Sequence, residues 1–162
     1  MNGFIVTANP PAATKEPVVS NGTWFPDMDP AQVRNACRLD GTVTADRLRP
    51  ALMDAMLSVN AELQDWADEQ RTRWGYACLA NVPAPQMDGE SAKVLYYRRA
   101  VHACLQADLA EAYRNLSTIP AGSGKADRVL EDLAIQVDQH RRNQRWAIAD
   151  LLARPRCTVD LL

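Results

Sequence analysis

Residues 88–116 read DGESAKVLYYRRAVHACLQADLAEAYRNL, and the spacing of their apolar side chains decides the fold class. Val94, Tyr97, Val101, Cys104, Leu105, Leu109, Ala112 and Leu116 recur at intervals of three and four, which places them on one face of a helix. Asp88 is a candidate N-cap, and Asp108 interrupts the apolar face. A helix of this length with one apolar stripe must bury it against other helices.

Working upstream, "YACLANVPAPQMDGES" reads as a loop with two prolines. Before it, "TVTADRL" opens a second long helix: Thr44 is the candidate cap, and Val43 and Leu48 have the spacing of a hydrophobic staple. Its stripe runs Leu52, Met56, Val59, Leu63, Trp66, and Gly75 is the terminator. Pro50 falls inside the run and predicts a kink or restart. "MDPAQV" starts a short first helix, with Asp29 as N-cap, Pro30 at the first helical position, Gln32 closing a capping box, and Met28 and Val33 as staple.

Downstream, "STIPAGSG" reads as a link, and a fourth helix follows from about Lys125 to Ala153. Its main stripe is Leu130, Leu133, Val137, Ile148 and Leu151. His140 and Gln144 interrupt this stripe as Asp108 interrupts its counterpart, so the sequence predicts that Asp108 and His140 meet across antiparallel helices. Ile135 and Trp146 fall on the opposite side, where Trp146 needs a second cover. The arm or first helix is one candidate for it, a neighbouring subunit the other.

The ends differ from this middle. Pro10, Pro11, Pro17 and Pro26 make residues 1–27 an extended arm with Trp24 and Phe25 as anchors, either on its own domain or on a neighbour's surface. After Pro155, Cys157, Val159 and Leu161 alternate with polar residues like a short strand. The expected organisation is therefore all-α: an arm (1–27), a helical bundle of one short and three long helices (28–154), and a C-terminal strand (155–162). A lone strand needs another chain for its backbone bonds, so residues 156–162 are an expected intermolecular latch.

Composition excludes several classes. A net charge of −2 argues against a nucleic-acid coat held by bulk charge. Fifteen Arg against three Lys point instead to positioned contacts with other proteins. No apolar run reaches the length of a membrane span. The four cysteines form no CxxC pair, and neither histidine sits in a Glu-x-x-His motif, so no metal or cofactor is expected. "AGSGKA" (121–126) lacks the first glycine and the Ser or Thr of a phosphate loop. A Cys104–His140 nucleophile is conceivable in space, but both residues lie on core-facing stripes, and the chain reads as no enzyme.

Three segments together resemble the head-completion proteins (GpL type) of temperate tailed bacteriophages with contractile tails: "FPDMDPAQVRNACRLDGTVTADRLRPAL", "VPAPQMDGESAKVLYYRRAVHACLQADLAEAYR" and "RWAIADLLARPRCTVDLL". The resemblance implies a structural virion protein at the head–tail junction. Its implied partners are the portal protein, neighbouring copies in a ring, and neck or tail-completion proteins, with packaged DNA passing nearby without sequence-specific binding. The residues expected at protein interfaces are Trp24, Phe25, Ile135, Trp146, Arg154, Arg156, Val159 and Leu161. The alternatives are a small cytosolic helical interaction module and a cysteine-dependent enzyme.

Overall fold

The computed structural model describes residues 16–39, 43–116 and 124–156. Among them the chain is mostly helical: α1 (Pro30–Cys37), α2 (Ala45–Trp74), α3 (Ala92–Leu116) and α4 (Gly124–Leu151). The local signals explain where these helices begin and end. Asp29 Oδ1 accepts from the Ala31 amide at 2.9 Å, and Pro30 occupies the first helical position. Met28 and Val33 are both buried, as the staple requires. Gly75 ends α2 with φ +71°, its amide bonded to the Arg71 carbonyl at 3.1 Å.

Two helices end on a left-handed residue other than glycine. Arg38 (φ 52°) closes α1 and Ala153 (φ 54°) closes α4. In each case paired amide bonds capture the last carbonyls: Leu39 to Arg34 and Arg38 to Asn35, Arg154 to Ala149 and Ala153 to Asp150.

Three expectations need correction. No restart occurs at Pro50, because α2 runs continuously through it, one turn after the helix start. Thr44 occupies the N-cap position of α2 but makes no side-chain bond. Asp88 does not cap α3. With Gly89 it forms the two-residue turn of an antiparallel hairpin, β1 (Gln86–Met87) paired with β2 (Glu90–Ser91). Both turn residues have positive φ, 50° and 75°, as a turn matched to strand twist demands.

Helix α3 packs against both α2 and α4, and its sequence shows why it can. Besides the Val94–Tyr97–Val101 stripe, Ala100, Ala103 and Ala107 are buried. At 100° per residue these positions together cover more than half the circumference. The alanines add a second strip, whose small side chains let a neighbouring backbone come close. The α2 stripe closes the other side, with Leu48, Leu52, Val59 and Leu63 fully buried; each such side chain contributes about 1.5–3 kcal/mol.

Residues 16–28 lie on this core. Val19 and Met28 exchange backbone hydrogen bonds at 2.8 and 3.0 Å, which closes the turn that presents Trp24 and Phe25. Trp24 meets Phe25 and Trp66 edge-on, and Phe25 stacks on Tyr97 at 5.1 Å. Trp24 Nε1 donates to the Tyr76 carbonyl at 3.2 Å, and the Leu79 amide donates to the Trp24 carbonyl at 2.9 Å. The two aromatic anchors thus sit in the chain's own hydrophobic core, the own-domain alternative of the two that the sequence left open.

Candidate protein-interaction surface

The outward side of α4 carries Ile135, Gln139, Arg142 and Trp146 at offsets of four, three and four, one straight file on a helix. Ile135 is 64 % exposed. Trp146 is half-buried, and its ring lies between two cations: the Arg142 guanidinium at 4.9 Å and that of Arg156 at 5.3 Å. Among the described residues the indole Nε1 has no hydrogen-bond partner, although the atom itself is buried.

Arg156 is fixed by more than the ring. Its Nε donates to Asp150 Oδ1 at 2.8 Å and its terminal nitrogen to Oδ2 at 2.7 Å. Arg99 of α3 donates to the same Oδ2 at 2.6 Å. The bond from Arg156 and the one from Arg99 hold the Asp150 carboxyl below the usual carboxylate range. Two guanidiniums therefore share one anion, and the neighbourhood keeps a positive excess. It borders a groove of about 420 Å³ lined by Ala36, Arg99, His102, Gln106, Trp146 and Arg156 among others. Ala36 belongs to α1, so the first helix flanks Trp146.

The expected interface residues thus separate. Trp146 and Arg156 come together, Ile135 lies on the same face about 16 Å along the helix, and Arg154 is exposed nearby. Trp24 and Phe25 are in the core, while Val159 and Leu161 lie outside the described residues. Sequence reasoning missed two exposed apolar side chains on α2, Met53 (46 %) and Leu57 (64 %). Their i, i+4 spacing, one position off the Leu52–Met56 pair, was the available signal.

Asp108 does not pair with His140. Its Oδ1 accepts from Arg141 at 2.7 Å, and Glu111 accepts from the same terminal nitrogen at 3.0 Å. The antiparallel pairing of α3 with α4 is as expected, but the cation that reaches the carboxylate comes from the next residue along. Burial lowers the His140 pKa, favouring the neutral ring.

Two of the thiols, Cys37 and Cys104, are set against nucleophilic chemistry. Burial pushes Cys37 up to about 11. Burial, and after it the Asp108 carboxylate, raises Cys104 as well, so the thiolate that a cysteine nucleophile needs is disfavoured. Among the described residues no helix is long and apolar enough to cross a membrane, and no cluster of three or more His, Cys, Asp or Glu side chains forms a metal cage.

Comparison with known proteins agrees with the resemblance seen in the sequence. No solved structure matches the chain. The "Head completion/stabilization protein" of Escherichia phage P2 is 43 % identical over 158 residues, covering 98 % of this chain and 89 % of that one. The family model of the phage head completion protein (GPL) matches residues 19–162, from the start of the Val19–Met28 turn through every helix to the last residue, and the chain belongs to that family of phage structural proteins.

Proposed function

We propose that this protein is an adaptor that joins the portal vertex of a phage head once DNA has been packaged, stabilises the filled head, and presents a surface to the neck and tail. In this reading it acts as a helical bundle, and copies of the chain form a ring around the channel. The portal, the neighbouring copies and the neck or tail-completion proteins are its partners, and DNA passes without base-specific contact. The carrying observation is the near full-length similarity to a head completion/stabilization protein.

The surface described above supports this reading. Met53 and Leu57 lie exposed one turn apart on α2 and Ile135 lies exposed on α4, and subunits in a ring present two different surfaces to their neighbours. The C-terminal residues 156–162 serve in this reading as the latch onto a neighbouring chain.

The test is DNA retention by filled heads. Heads packaged in the absence of this protein should lose DNA to added nuclease, and purified protein should protect them and appear at the vertex by immuno-electron microscopy. Heads equally stable without the protein would refute the adaptor role.

A further inference from the structure

The outward faces of α2 and α4 match one another. Opposite its buried stripe, α2 exposes Met53, Asp54, Leu57, Ala61, Asp65 and Asp68. Asp68 is paired within the helix to Arg71 at 2.8 Å; among the described residues neither Asp54 nor Asp65 has a salt-bridge partner. Opposite its own stripe, α4 exposes Ile135, Gln139 and Arg142, with Arg145 on the flank. Arg142 stacks on Trp146, and among the described residues neither Arg142 nor Arg145 has a carboxylate partner. Among the described side chains the acids close to this file are Asp138 and Asp150, and Asp150 is already held by Arg99 and Arg156.

The order of chemistry along the two faces also agrees. On α2, apolar Leu57 precedes Asp65 by eight residues, about 12 Å. On α4, apolar Ile135 precedes Arg142 by seven residues and Arg145 by ten, about 10 and 15 Å. Laid side by side in parallel with Leu57 on Ile135, the helices bring Asp65 between the two arginines. Within one molecule α2 and α4 meet on other sides of the two helices, where Gln144 Nε2 donates to Glu62 Oε1 at 2.9 Å, so a chain cannot cover the outward face of its own α4 with the outward face of its own α2.

We propose that these faces are the two halves of one contact between copies of this chain, the acidic–apolar face of α2 docking on the basic–apolar face of α4 of the next copy. The proposal rests on the ring reading and names the surfaces that reading requires. Because the two halves differ, the contact is heterologous, and repetition closes a ring or extends a filament according to the rotation between copies. The apolar pair supplies burial, and the charges fix register and disfavour the antiparallel docking, in which Leu57 would face Arg142 and Asp65 would face Ile135.

Charge reversal tests it. Asp65→Arg and Arg142→Glu are made singly and together in the full chain, with circular dichroism checking that each variant folds. Self-association is measured by sedimentation, and copies bound per filled head by quantitative blotting. Each single reversal should weaken association by about tenfold or more. The double variant, in which every contact pairs a new arginine with a new glutamate, should recover most of that loss.

Single reversals without effect, or a double variant no better than the singles, would overturn the proposal. So would loss on Arg142→Glu alone with Asp65→Arg silent, which would assign the basic face to DNA or to another protein. Failure of the wild-type chain to protect filled heads is a separate result and removes the adaptor reading itself.

Discussion

The Tyr97 hydroxyl donates to Asn60 Oδ1 at 2.7 Å, tying α3 to α2 inside the core. The contact is one side of a closed cycle: Asn60 Nδ2 donates to Asn21 Oδ1 at 2.8 Å, and Asn21 Nδ2 donates to the Tyr97 hydroxyl at 2.7 Å. Asn21 belongs to the N-terminal arm, so one polar triangle joins arm and two helices. Burial raises the Tyr97 pKa far above its ordinary value, which keeps the donor proton in place. Tyr97→Phe removes the shared hydroxyl and leaves Asn60 Oδ1 without its donor. It should cost about 1–3 kcal/mol, read as a lower urea midpoint with an unchanged slope. An unchanged midpoint would mean the cycle adds nothing to stability.

The pairing of α3 with α4 gives a second comparison. Arg141 reaches both Asp108 and Glu111, but all three side chains are partly exposed, so solvent screens the gain. Arg141→Ala should destabilise by about 1 kcal/mol, and His140→Ala by less than about 0.5 kcal/mol. Thermal melts of the two variants would decide between the partners. The opposite order would return the carboxylate to His140.

That one-residue difference marks what the sequence can and cannot tell. Helix existence was legible because burial repeats at three and four, and the Asp29–Pro30 start because capping is local chemistry. Cross-helix partners depend on rotation between helices: neighbouring positions differ by 100°, and an arginine reaches farther than an imidazole. The alanine strip on α3 escaped notice because small residues score weakly as apolar, although they set how close helices come. Asp88–Gly89 carried a strong hairpin signal that was read as a helix cap, since both readings begin with an aspartate before an apolar run. The outward side of α4, which we propose as an interface, was legible at Ile135 and Trp146 as apolar residues off the stripe. Trp24 and Phe25 were not assignable, because a proline-rich segment has no periodicity to show which surface it covers.

Asp150 yields a pH prediction. Its folded pKa lies below the ordinary carboxylate value, first because Arg156 donates to it and then because Arg99 does. A depressed acid contributes stability that is complete above its unfolded pKa and is lost as pH falls through the folded one. Asp150→Asn should therefore lower the melting temperature at pH 7, and the difference from wild type should shrink progressively below about pH 4. Loss of the anchor should also free Arg156 from the Trp146 ring, seen as a shift of that indole resonance. A variant as stable as wild type at neutral pH would show that the two guanidiniums are held by something else.

The Arg156 anchor makes the proposed C-terminal latch separable from the described fold. Asp150 fixes the chain at residue 156, and every core side chain among the described residues precedes that point. Six residues follow, Cys157 to Leu162, which fully extended reach about 20 Å; Val159, Leu161 and Cys157 lie on one side of such a strand. A truncation after Arg156 keeps the anchor, the Trp146 stack and the Ala153 turn, so its thermal unfolding should stay within about 0.5 kcal/mol of wild type. If the segment joins a neighbouring chain, the same variant should fail to accumulate on filled heads and fail to protect their DNA. Added as a separate peptide in excess, the segment should compete with the intact protein for binding. Full protection by the truncated chain would refute the latch while leaving the α2–α4 contact to be judged by its own charge reversals.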